Sequence, residues 1–236
     1  MTAYNMSEFR RFARSWLPGF LVAVAACLVP LSAFAAADEP ATITFSLDFP
    51  NSSPEHYVIS VRSDGRAHYE SSGKISDDSD LHDEYQTDFA ISDATRTHIL
   101  ELAAQAHYFS GKIESGKKVA FTGAKKLMYK DGQRSSSADY NFSTLPAIQQ
   151  LTALFQSVAA TMEFGHRLTY YHRYQKLALD DQLKQMEDEA KRGDLAEVQA
   201  LKPVLQGIYD DNSVMNVVRA RARRILEMNP ATTSRN

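Results

Sequence analysis

The chain has 236 residues, 44% hydrophobic and 23% charged, with 26 basic against 29 acidic side chains and a formal net charge of −3. That balance excludes a disordered chain, a collagen-like repeat and a polytopic membrane protein. Nothing in it calls for a nucleic-acid partner. The one cysteine, Cys27, excludes an intramolecular disulfide and a cysteine-rich zinc site.

The N-terminus reads as an address. Arg10, Arg11 and Arg14 stand against Glu8, and residues 16–37 carry no charge. The run closes on Ala33, Phe34, Ala35, Ala36 and Ala37 before Asp38. A basic start, an apolar run and an Ala-x-Ala exit form a secretory signal peptide, assigned to residues 1–35 with cleavage after Ala35 or Ala37. Two alternatives stay open: an uncleaved membrane anchor through residues 16–37, and a lipoprotein signal acylated at Cys27. All three place the rest of the chain outside the cytoplasm, periplasmic or secreted. A cysteine-free exported chain of roughly 200 residues is long enough to stand on its core alone.

Residues 41–164 read as an α+β domain. Ile43, Phe45, Leu47 and Phe49 alternate on one face of a strand, which Pro50 and Pro54 end. Residues 57–61 and 67–69 flank Asp64 and Gly65, a hairpin signal. An acidic loop follows with Asp77, Asp78, Asp80, Asp83 and Glu84, then a strand over 85–91. Ser92 or Asp93 caps a helix with the stripe Ile99, Leu102, Ala103 and Ala106. Residues 119–122, 126–129 and 138–142 suggest three more strands, with Asp131 and Gly132 as a second hairpin turn. A second helix follows Thr144, with Pro146 in its first turn and the stripe Ile148, Leu151, Leu154, Phe155, Val158 and Met162. The expected fold class is therefore α+β: an antiparallel sheet of about six or seven strands with two helices on one face.

An all-helical segment over 165–228 follows. Residues 166–191 lack Gly and Pro and carry the stripe Leu168, Tyr171, Leu179, Leu183, Met186 and Ala190, one long helix that Gly193 ends. Leu195, Val198, Leu201, Leu205 and Ile208 mark a helix kinked at Pro203. Ser213 is expected to cap the last one, which carries Val218, Ala222 and Ile225. Residues 229–236 are expected to be a disordered tail.

Few motifs carry chemistry. Residues 111–118 approach the phosphate-binding loop but have Lys118 where Mg²⁺ needs a hydroxyl, and the flanking order is reversed, so they read as a flexible basic connector. There is no G-x-S-x-G and no H-E-x-x-H. The seven histidines, at 56, 68, 82, 98, 107, 166 and 172, offer no pair at i, i+3 or i+4. The acidic loop lacks calcium-loop spacing and reads as solvated charge. No metal site and no cofactor site is expected, and no catalytic residue is assigned. The candidate partner surface is Tyr170, Tyr171 and Tyr174 with Arg219 and Arg223. Arg219, Arg221, Arg223 and Arg224 give the last helix a basic side able to pair with the acidic helices before it.

Residues 57–65 with Tyr69, then residues 89–92, Tyr108 and Phe109, resemble a domain family of unknown function in exported bacterial proteins. That family shows a strand, a turning Asp-Gly, a strand, and a helix closing on an aromatic. The resemblance covers residues 41–164 and implies no activity. Val218, Arg219, Ala222 and Leu226, preceded by Asp210 and Asp211, are similar to the second helix of a single HEAT unit. Together these features suggest an exported, non-enzymatic protein that binds another protein in the cell envelope. The alternatives are a periplasmic hydrolase, which would show convergent histidine and carboxylates in a pocket, and a small-molecule carrier, which would show a large apolar cavity.

Overall fold

In the computed structural model, residues 39–74 and 82–228 are described. The expected signal peptide over residues 1–35, the expected tail over 229–236, and Asp77, Asp78 and Asp80 lie outside the described residues. Six strands form one antiparallel sheet: β1 (Thr42–Asp48), β2 (His56–Arg62), β3 (Arg66–Lys74), β4 (His82–Ala90), β5 (Ala124–Lys130) and β6 (Ser135–Tyr140), in the order β4-β3-β2-β1-β5-β6. Alternation sets the register. Leu127, Phe45, Ile59 and Tyr69 sit opposite one another across β5, β1, β2 and β3, all fully buried. The same period of two puts Thr44, Ser60, His68 and Asp88 in a row on the other face, where His68 Nδ1 lies 2.6 Å from Asp88. Gly65, at φ +89°, makes the turn between β2 and β3.

Two helices cover the buried face. α1 (Asp93–Gln105) starts at Ser92, whose hydroxyl accepts from the Thr95 amide, and inserts Ile99, Leu102 and Ala103. α2 (Pro146–Tyr174) brings Ile148, Leu151 and Val158, and Phe155 stacks on Phe45 with ring centroids 5.3 Å apart. A second core gathers Phe164, Leu168 and Tyr171 of α2 with α3 (Leu179–Arg192), α4 (Lys202–Asp210) and α5 (Asn216–Glu227). Gly193, at φ +79°, closes α3 with a left-handed cap.

The sequence reading needs four corrections. Residues 119–122 are not a strand, so the sheet has six. β5 already occupies the free edge of β1, and Phe121 instead sits exposed against Phe49. The chain does not break near Gly165; α2 runs 29 residues through it. The break falls at Gln175 (φ −144°, ψ 61°), so the helix expected over 166–191 is two. No Gly or Pro marks that break. It is fixed by tertiary contacts, because His172 and Lys176 both reach Asp211 and Leu179 enters the core. Pro203 opens α4 in its first turn, where its missing N–H costs nothing, instead of kinking a helix. Ser213 does not cap α5, which begins after Met215; its hydroxyl donates to Asp211 Oδ1 at 2.6 Å.

Candidate functional site

The last turn of α2 carries the predicted tyrosines. Tyr170 touches both others, with ring centroids 5.6 Å from Tyr171 and 5.1 Å from Tyr174. Their fates differ because the helix turns them differently. Tyr171 is buried in the helical core beside Leu168, Tyr170 is half-buried, and Tyr174 is exposed under the Arg173 guanidinium at 5.3 Å. The corner after it is pinned by Asp211, which accepts from His172 Nε2 at 2.9 Å and Lys176 Nζ at 2.6 Å. These bonds and those from Ser213 hold the Asp211 carboxyl far below the usual carboxylate range, with Lys176 the largest cause. Lys176 also donates to Ser213, so the α2–α3 corner lies against the α4–α5 turn. Four large apolar side chains are exposed in these two turns and the helix ends beside them: Tyr174 (62% exposed), Leu177 (82%), Met215 (47%) and Val217 (53%).

The predicted arginines serve a different tyrosine. Arg219 Nε donates to the Tyr209 carbonyl at 2.7 Å with its guanidinium 5.8 Å from that ring, and Arg223 pairs with Glu227 at 2.7 Å. Among the described residues, no hydrogen bond, ion pair or ring contact joins Arg219 or Arg223 to Tyr170, Tyr171 or Tyr174. Arg221 and Arg224 do pair with the acidic helix before them. Glu187 of α3 accepts from Arg221 Nη1 (3.1 Å), Arg224 Nη2 (3.0 Å) and Lys191 Nζ (2.8 Å). Arg224 is the largest cause of its carboxyl falling to about 2.

A second cluster was missed by the sequence reading. Glu163 of α2 is buried against the sheet, and its Oε1 accepts from Tyr69 Oη and Ser71 Oγ, both at 2.7 Å. One turn on, His166 stacks on Tyr85 (4.2 Å, 8°), places Nε2 2.9 Å from Asp83 Oδ2, and leaves Nδ1 3.9 Å from Glu163 Oε2. Burial drives the Glu163 carboxyl upward, but His166, Tyr69 and Ser71 outweigh it and the net direction is down. The Tyr69 hydroxyl is pushed up by burial and by Glu163. The one available signal was a charged residue inside an apolar stripe, Glu163 following Met162.

Lys125 is also buried. Its Nζ donates to the carbonyls of Thr122, Gly123 and Asn141 and to the Thr122 hydroxyl, all within 3.2 Å, and burial lowers it. Its donors are saturated, so it ties the loop before β5 to the end of β6. The connector over 111–118 is irregular, anchored by buried Ile113 and by Glu114, which accepts from the Asn141 amide at 2.6 Å. Among the described residues, no three His, Cys, Asp or Glu side chains are grouped to hold a metal ion, and no helix is long and apolar enough to cross a membrane. A scan against protein-family models matches no family, and a search of curated proteins finds no match.

Proposed function

We propose that the chain is an exported, non-enzymatic protein that binds another protein of the cell envelope through the corner formed by Tyr174, Leu177, Met215 and Val217. The observation that carries this reading is the exposure of four large apolar side chains on two adjoining turns that a carboxylate hub holds in place. Exposed apolar groups gathered in this way mark interaction surfaces, and Tyr, Met and Arg are favoured there. Arg173 forms no ion pair among the described residues and rides on the Tyr174 ring. The partner it suits is an apolar groove rimmed by carboxylate.

The hydrolase alternative would draw on Ser71 and His166 beside Glu163. Two features speak for anchoring. Ser71 is buried and donates to a carboxylate whose proton affinity is lowered, so it faces a weak base. Both nitrogens of His166 face carboxylates and not the hydroxyl.

The test is affinity purification from envelope fractions of the native host, wild type against a Tyr174→Ser, Leu177→Ser double variant. Both side chains are exposed, so the melting temperature should hold. The reading expects a defined partner to disappear from the variant. An identical set of co-purifying proteins overturns it. Mass spectrometry of the same material should find the N-terminus at Ala36 or Asp38; an intact Met1 removes the cleaved signal, and a diacylglycerol mass on Cys27 makes the chain a lipoprotein.

A further inference from the structure

A cleft of about 280 Å³ opens where the sheet core meets the helical core. Its walls come from the β1–β2 loop at Pro54, from Tyr57 of β2, from α2 between Gln156 and Arg167, and from Glu189 of α3. Seams between packed units are favoured places for ligands, and this volume lies just below the usual range for drug-sized ligands, which suits a smaller one.

The polar groups at this seam are not matched to one another. Arg167 is half-buried. Its Nε donates to Gln182 Oε1 at 2.9 Å and its guanidinium lies 4.7 Å from the Phe164 ring, which together hold the fork. It forms no ion pair among the described residues, although two carboxylates line the same cleft. Glu163 uses Oε1 for Tyr69 and Ser71, and its Oε2 has only His166 at 3.9 Å. Glu189 Oε1 accepts from Gln185 at 2.9 Å, which leaves its other oxygen open. The Tyr57 ring is buried, and its hydroxyl makes no hydrogen bond among the described residues.

We propose that this cleft binds a small zwitterion, a compound with a carboxylate and an ammonium group a few bonds apart, such as a free amino acid. The guanidinium fork of Arg167 is the carboxylate receptor, since its geometry suits bidentate pairing. Glu189 and the open oxygen of Glu163 receive the ammonium, and Tyr57 supplies a further donor to the carboxylate. A simple anion would meet two carboxylates, and a simple cation would meet Arg167. A ligand carrying both charges answers all three. Ala159, Ala160 and Phe164 give its side group an apolar floor.

The test is calorimetric titration of the full exported chain with the proteinogenic amino acids, each at millimolar concentration, and with the N-acetyl and C-amide forms of any that bind. At least one free amino acid should saturate the protein. Its two singly charged forms should bind at least about tenfold more weakly, as expected for losing one charge-assisted contact. Arg167→Gln and Glu189→Gln should each produce a loss of the same order. Circular dichroism checks that the variants fold; should Arg167→Gln fail that check, Glu189→Gln decides, because among the described residues the only hydrogen bond of its side chain is to an exposed glutamine. The proposal is overturned if no amino acid saturates the protein, if the N-acetyl form binds as well as the free one, or if a folded variant binds like wild type.

Discussion

Glu163→Ala is the sharpest perturbation of this fold. The wild-type carboxylate accepts two 2.7 Å hydrogen bonds, from Tyr69 and Ser71, inside the protein. A hydrogen bond to a charged group contributes about 1.5–3 kcal/mol, and removing the acceptor leaves both hydroxyls buried without a partner. The expected loss is therefore about 4 kcal/mol, which in a chain of this size lowers the melting temperature by roughly 8–16 °C. Glu163→Gln keeps a carbonyl oxygen in place and should lose less than half as much. Urea unfolding at neutral pH measures both, with the slope unchanged if the perturbation is confined to stability. The same group sets a pH dependence. Its folded value lies below the ordinary 4.5, so its stabilisation is fully present above 4.5 and is lost as pH falls through the folded value. Wild type should then lose stability faster than Glu163→Gln below about pH 4.5. A Glu163→Ala midpoint equal to that of wild type would refute the anchoring role, and parallel acid profiles for wild type and Glu163→Gln would refute the ionised state.

Two further outcomes follow from the helical half. A β-carbon on Gly165 would lie 2.5 Å from Leu201 Cδ2, so Gly165→Val should destabilise by about 2 kcal/mol through overpacking, despite the better helix propensity of valine; a raised melting temperature would sink that account. Glu187→Ala leaves Arg221 and Arg224 without their shared carboxylate and should cost about 2–3 kcal/mol at pH 7, the loss being smaller than for a fully buried pair because Arg224 is half exposed. Since the folded Glu187 carboxyl sits near 2, below its ordinary 4.5, that contribution is present above 4.5 and fades towards pH 2, which an acid series followed by helical circular dichroism reads directly.

Local physics was legible in the sequence wherever one residue type answers one local need. The alternation of Ile43, Phe45 and Leu47 fixed a strand and its inner face, and Ser92 marked a helix start. The turns at Gly65 and Asp131 followed from residues that suit tight loops. Residues 119–122 had strand-like composition, but a strand also needs an edge to pair with, and β5 holds that edge. The break at Gln175 has no local signal because Asp211, 35 residues beyond Lys176, makes it. The Glu163 cluster joins residues 94 and 92 positions apart, a distance at which spacing carries no information. Of the predicted surface, Tyr174 is exposed, whereas Tyr171 is core and Arg219 is turned to Tyr209.

What unites the two cores is that α2 belongs to both. Up to Met162 its apolar stripe faces the sheet, and from Phe164 onward it faces α3, α4 and α5. A single helix can change partners in this way only if its polar positions are satisfied at the change-over. Glu163 binds back to β3, while Thr161 and Ser157 on the same stretch donate to the carbonyls of Ala196 and Asp194 in the turn after α3. The next residue of that turn, Glu197, accepts from the amide and hydroxyl of Ser92 at 2.9 and 2.7 Å, placing a carboxylate at the start of α1 where the helix dipole favours it. Small size then does what a linker would do elsewhere, since Gly165 lets Leu201 approach the helix axis. Side-chain anchors on two sides and the unbroken α2 thus connect the sheet to the exposed turn carrying Tyr174 and Leu177. If the proposed partner docks there, continuity of α2 with the sheet would reduce the ordering cost of binding.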